Sequence, residues 1–388
     1  MSHILRSNNI SISFGGDFCP SSRVQDYLKK GQVDEDDILG SVQTLFASSD
    51  INIINLECPL SDSGSPIVKE GPNFHASPSM IQLLTHIGVT GVTLANNHIR
   101  DYGDAGVIDT LELCAANGIK TVGAGMTLEL ARQPLYINVN ERIVAFINVA
   151  EHEFSIATAN QAGANPFDLI NLLNDLKQAR LQTDHVILIV HGGLEMTHVP
   201  SPQSVRSLRF VAEQGVTAVI RHHSHHIQGY EVWNGVPIFY GLGNMFFDLE
   251  GMNSCWYKGL LLKLDISSDN TCSFELFPIS QCEHGLSVKV LDGDEKLNMF
   301  KIINDYTSLL SDEKMLLQAW DKVINSVKQD YFSRLLLPSI TLRPFIRRLP
   351  FMKFFKPGMK FLRYINNILT CDTHREVLID IIKTQHFN

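Results

Sequence analysis

Five short apolar runs, each ending in residues that carry chemistry, constrain this chain more than any other feature. Val216-Thr217-Ala218-Val219-Ile220 runs straight into Arg221-His222-His223-Ser224-His225-His226, four histidines within five residues. Ile51-Asn52-Ile53-Ile54-Asn55-Leu56 is tipped by Glu57, and Gly91-Val92-Thr93-Leu94-Ala95 leads to Asn96-Asn97-His98 and Asp101. His185-Val186-Ile187-Leu188-Ile189-Val190 is tipped by His191-Gly192-Gly193-Leu194-Glu195, and 142–149 by Glu151-His152-Glu153. Runs this short and β-branched read as buried strands. Helical patterns over 37–48, 78–87, 104–117 and 201–214 separate them. Strands alternating with helices predict an α/β fold, whose strand carboxyl ends form the usual ligand edge.

The first strand, Asn9 to Phe14, alternates apolar and polar residues and meets Gly15-Gly16-Asp17, where two glycines predict a tight turn presenting Asp17. The segment 61–75, rich in Ser, Gly and Pro, reads as a loop over the site. Beyond the histidines the period becomes two, so 227–233, 236–240, 259–266 and 272–279 read as antiparallel strands. Helical patterns over 294–310 and 312–330 follow, which divides the chain into a body, 1–290, and a helical extension, 291–388.

Charge is uneven. Residues 1–330 carry a net of −16 and residues 331–388 a net of +7. An acidic body argues against nucleic acid as a partner, since that affinity rests on phosphate neutralisation. In 334–363, eight Arg and Lys residues interleave with Leu, Ile, Phe and Met. Such a segment can contact an anionic membrane surface; four prolines break its helical period, which favours packing on the acidic body instead. Seven scattered cysteines without a C-x-x-C pair, an N-terminus without an apolar core and no long apolar run predict a cytoplasmic protein.

Asp17, Glu57, Asn97, His98, His191, His223 and His225 thus share one kind of position. Singly each has a plainer role: Asp17 as a turn or cap, Glu57 as a lysine partner, Asn97 as a helix cap, His191 as a core histidine. Jointly they form a mixed carboxylate, amide and imidazole set suited to Mn²⁺, Zn²⁺ or Fe²⁺. Glu57 is the candidate to bridge two ions, and His98, near Asp101, the candidate to protonate a leaving oxygen.

The motifs Gly16-Asp17, Asn55-Leu56-Glu57-Cys58-Pro59-Leu60, Asn96-Asn97-His98-x-x-Asp101-x-Gly103, Gly123-Ala124-Gly125, His191-Gly192-Gly193-x-Glu195, His222-His223-Ser224-His225 and Gly241-Leu242-Gly243-Asn244-x-Phe246-x-Asp248 resemble, in order, those of the CapA family of poly-γ-glutamate capsule synthesis. That family is similar to the calcineurin-like metallophosphoesterases. The resemblance implies a four-layer αββα sandwich holding two divalent ions. Asp17 and His225 would hold one, Asn97, His191 and His223 the other, with Glu57 between them. His98 matches the catalytic histidine. Glu195, Arg221, His222 and Asn244 are the implied contacts to an anionic small-molecule or polymer substrate. Where the superfamily has Asp-x-His, this chain has Asp17-Phe18-Cys19, so one ligand is absent or is a thiol. Arg221 replaces a glycine, and its charge either faces the substrate or crowds the site. The function implied is a metal-dependent hydrolase, phosphoesterase-like, in capsule or surface-polymer synthesis. The alternatives are a non-catalytic polymer assembly or export factor and a polyglutamate amide hydrolase.

Overall fold

The computed structural model describes residues 9–20, 22–183, 185–336 and 358–386. Its strands are β1 (Ile10–Cys19), β2 (Ile51–Leu56), β3 (Gly91–Thr93), β4 (Lys120–Val122), β5 (Ala124–Gly125), β6 (Leu135–Val139), β7 (Arg142–Ala150), β8 (Gly163–Ala164), β9 (His185–His191), β10 (Ala218–His222), β11 (Tyr230–Trp233), β12 (Val236–Phe239), β13 (Asn244–Phe247), β14 (Lys258–Ile266), β15 (Cys272–Gln281) and β16 (Val288–Val290). The larger sheet runs β16-β15-β14-β1-β2-β3-β4, with β13 also paired to β1. The second runs β11-β12-β10-β9-β7-β6, and β5 pairs with β8.

β1 to β4 are parallel, as are β7, β9, β10 and β12. Their carboxyl ends carry the polar tips, so two sets of tips are available to one site. Side-chain alternation sets what each face does. Ile10, Ile12, Phe14, Ile51 and Ile53 of the larger sheet share a core with Phe146, Ile187, Ile189 and Ile220 of the second. On its other face the larger sheet packs Ile54, Leu56 and Val92 against Ile38, Leu39, Val42 and Phe46 of helix Glu35–Ala47. A reciprocal capping box between Asp34 and Asp37 starts that helix. The second sheet's other face packs Val186, Leu188 and Val219 against Leu172 and Leu176 of helix Leu169–Ala179 and Val205 and Leu208 of helix Pro202–Ala212. Strands covered on both faces are apolar throughout for this reason. A register slip of one residue would exchange the two faces and misplace every tip.

Two local readings change. β1 does not end in a turn at Gly15-Gly16 but continues to Cys19. A Cβ on Gly16 would lie 2.0 Å from the Gly243 carbonyl oxygen, so the glycine admits β13 beside β1. Register shifts flank Asp17 on both neighbours. The later antiparallel strands also divide between sheets: β11 and β12 extend the second, while β14 and β15 extend the larger one through β1.

Helix Gly293–Ser308 gives Ile303 to the core between the sheets. Helices Glu313–Leu336, Met359–Thr370 and Asp372–His386 cluster around Trp320, Ile324, Tyr331, Ile368, Val377 and Ile381, and Leu194 and Val199 of the body pack against them. Most of the basic segment, 337–357, lies outside the described residues. Among the described residues no helix is long and apolar enough to cross a membrane.

Candidate metal centre

The parallel pairing β1–β2–β3 sets Asp17, Glu57 and Asn97 along one edge, and β9–β10 sets His191 beside His222 in register. Past β10 the backbone enters left-handed conformations at His223 (φ +89°) and His225 (φ +54°). Such strain in non-glycine residues persists only where the surroundings fix it. Here it is fixed by two hydrogen bonds: the His223 amide donates to Asp17 Oδ2 at 3.3 Å, and Ser224 Oγ donates to the His226 carbonyl at 2.7 Å.

Two donor groups result, Asp17–Glu57–His225 and Glu57–His191–His223, each with one ligand atom per residue within 4.8 Å of the others. Glu57 belongs to both. Its Oε1 lies 3.4 Å from His191 Nε2 and 3.7 Å from His225 Nε2. Asn97 Oδ1 sits 3.0 Å from His191 Nε2, on the second group's side. Asn55 Nδ2 donates to Asp17 Oδ1 at 2.8 Å, and Asn244 Oδ1 sits 3.0 Å from His225 Nδ1; both orient first ligands from behind.

The two buried carboxyls are driven in opposite directions. Burial alone would raise Asp17, but its contact with His225 and the charges of His222, His225 and His191 outweigh burial and hold it well below the usual carboxylate range. Burial, then the neighbouring Asp17 and Glu195 charges, pushes Glu57 well above it. Among the described residues neither buried Glu57 oxygen has a hydrogen-bond partner. A group left this way costs about 1–3 kcal/mol or more, which a bridging cation would offset. The donor set therefore fits divalent ions. Burial and His223 hold His191 well below its ordinary value, leaving the neutral imidazole that ligation requires.

His98 Nδ1 lies 2.6 Å from Asp101 Oδ2, and Lys69 Nζ pairs with Asp101 Oδ1 while standing 3.0 Å from His98 Nδ1. The Phe74 amide also donates to Asp101 at 2.7 Å. Burial and then Lys69 hold His98 below its ordinary value. Nothing in the sequence singles out Lys69, whose loop reads only as rich in Ser, Gly and Pro. Burial of its side chain to 2% exposure is a tertiary fact.

The implied substrate contacts scatter. Glu195 is at the rim, its side chain 49% exposed and its Oε1 3.9 Å from His223 Nε2. His222 is buried, with Nδ1 3.6 Å from Asp17 Oδ1. Asn244 is buried between His225 and the Trp256 carbonyl. Arg221 points to the opposite face of β10 from His222, as alternation requires. Its Nε donates to the Gly192 carbonyl at 2.6 Å, and it lines a cavity of about 950 Å³ together with Glu151, Arg206 and Glu376. Cys19 packs in the helix-side core and its thiol, buried and next to Cys58, is pushed up. It is in neither donor group.

Comparison with known proteins covers the same stretch that builds this centre. The chain is 29% identical over 278 residues to PGA biosynthesis protein CapA of Bacillus subtilis (strain 168), covering 70% of this chain and 71% of that one. It is 28% identical over 314 residues to capsule biosynthesis protein CapA of Bacillus anthracis, covering 78% and 74%. The family model described as bacterial capsule synthesis protein PGA_cap matches residues 11–249, from β1 past β13 and through every residue of both donor groups. This chain is a member of that bacterial capsule synthesis family.

Proposed function

We propose that this protein is a metal-dependent hydrolase that cleaves a phosphoester or related anionic bond during capsule or surface-polymer synthesis. The observation that carries the reading is Glu57, a fully buried carboxyl without a hydrogen-bond partner among the described residues, shared by two donor groups. In this reading the two sheets with helices on their outer faces form the four-layer sandwich of the metallophosphoesterases. Asp17, Glu57 and His225 would hold one divalent ion, and Glu57, Asn97, His191 and His223 would hold a second. Bound Mn²⁺, Zn²⁺ or Fe²⁺ would acidify a water and neutralise charge on the attacked oxygen.

The remaining work falls to this chain. Asp101 accepts from His98 Nδ1–H, and Lys69 holds that carboxylate in place. His98 then has Nε2 free to take a proton and return it to the leaving oxygen. Burial around His191 and His225 excludes water from the ligands, while Glu195 at the rim reaches the solvent that a substrate must cross. The test is hydrolysis of an aryl phosphodiester and of polyglutamate by full-length protein with Mn²⁺, beside Asp17→Asn and His223→Ala. Loss of phosphodiester cleavage in both variants is expected; unchanged cleavage overturns the proposal.

A second reading rests on Cys19, which occupies the Asp-x-His position yet lies in the helix-side core. With one ligand fewer, the first site would be weak and the protein a polymer-binding assembly factor. Elemental analysis showing metal-free protein after Mn²⁺ incubation would favour that reading.

A further inference from the structure

A second constellation of ligating side chains shares no residue with the centre described above, although it lies near enough to feel the charges of His223 and Glu195. Glu153, just after β7, meets Cys371 and His374 at the start of the last helix, with one ligand atom from each within 4.8 Å of the others. His374 Nε2 lies 3.2 Å from Glu153 Oε1. Cys371 is 2% exposed and its Sγ lies 3.3 Å from Glu151 Oε2. Glu153 lies inside the stretch that the family model matches, whereas that match ends more than a hundred residues before Cys371.

We propose that Glu153, Cys371 and His374 form a zinc site, completed by Glu151, that fastens the C-terminal helices to the loop after β7. Four features carry this. The donors are thiol, imidazole and carboxylate, the set that Zn²⁺ takes in tetrahedral coordination. Tetrahedral bonds of about 2.0–2.3 Å place ligand atoms roughly 3.3–3.8 Å apart, near the 3.2 Å of His374 to Glu153 and the 3.3 Å of Cys371 to Glu151. The second nitrogen of His374 is already held: its Nδ1 lies 2.7 Å from the Tyr331 hydroxyl, the outer contact that fixes a ligating imidazole. The Glu151 carboxylate is positioned by Thr373, whose amide and hydroxyl donate to it at 3.2 and 2.7 Å. Binding replaces the Cys371 S–H bond with an S–Zn bond and displaces the proton that His374 Nε2 shares with Glu153, and both protons go to solvent.

The sulfur makes this site distinguishable from the other, whose donor groups contain none. Full-length protein stripped of metal and titrated with Co²⁺ should show near-ultraviolet thiolate-to-cobalt charge-transfer absorption, which Zn²⁺ then displaces. The band is expected to survive in Asp17→Asn and Cys19→Ala and to vanish in Cys371→Ser, with circular dichroism unchanged. His374→Gln should weaken Co²⁺ binding at least tenfold, which covers the case in which Cys371→Ser fails to fold. Absence of the band from the wild-type protein, or its persistence in Cys371→Ser, overturns the proposal.

Discussion

Glu57 Oε1 lies 3.4 Å from His191 Nε2, inside ion-pair range, yet among the described residues no donor hydrogen-bonds either oxygen of this carboxyl. The group is fully buried beside the Asp17 carboxylate. Such an arrangement costs stability in the metal-free protein and recovers it when a cation binds.

Glu57→Gln should therefore stabilise metal-free protein while destroying metal affinity. A gain of about 1–3 kcal/mol is expected, because the neutral amide escapes the cost of protonating an acid that burial and the Asp17 charge hold above its ordinary range. Thermal melts in chelator check it; a lower Tm for the variant would contradict the reading.

Added Mn²⁺ should raise the Tm of the wild-type protein. A ligand at a hundred times its Kd contributes about 2.7 kcal/mol. Asp17→Asn and His223→Ala, each removing a donor, should lose most of that shift. Scanning fluorimetry across a Mn²⁺ series measures it.

Gly193 has φ +107°, and a Cβ there would lie 1.4 Å from Arg221 Nη2. Gly193→Ala should cost about 2–4 kcal/mol, combining backbone strain with the collision. In an Arg221→Ala background the collision disappears, so the cost should fall by about 1 kcal/mol or more. Urea midpoints of the four proteins give the coupling; strictly additive costs would rule out the contact.

Lys69→Met keeps the stem of the side chain and removes the cation that holds Asp101. Phosphodiester cleavage should fall by about 10- to 100-fold, less than the 10²–10⁴ expected for His98→Ala itself. Lys69→Arg should restore part of it. Equal rates for wild type and Lys69→Met would exclude a positioning role.

The polar tips of the strands were legible in the sequence because burial writes itself locally. A parallel strand covered on both faces must be apolar along its length, so the first charged or imidazole residues after it mark its carboxyl end. Glu57, His98, His191 and His223 stand out for that reason. Arg221 shows the limit. Its guanidinium packs on Gly193, a left-handed glycine of a different motif, and β10 turns Arg221 to the face opposite His222. Only the register of β10 against β9 decides that.

The histidine run, the carboxylates and their order along the chain were determined by sequence alone, since a period of two or 3.6 is a property of near neighbours. Four things needed the tertiary structure: β1 passing through Gly16 beside β13, Lys69 buried against Asp101, Asn244 behind His225, and Glu153 meeting His374. Each joins segments from 19 to 227 residues apart, or a loop without periodicity. No local pattern encodes such a contact. It is fixed only when the sheets pair in register and the helices close over them.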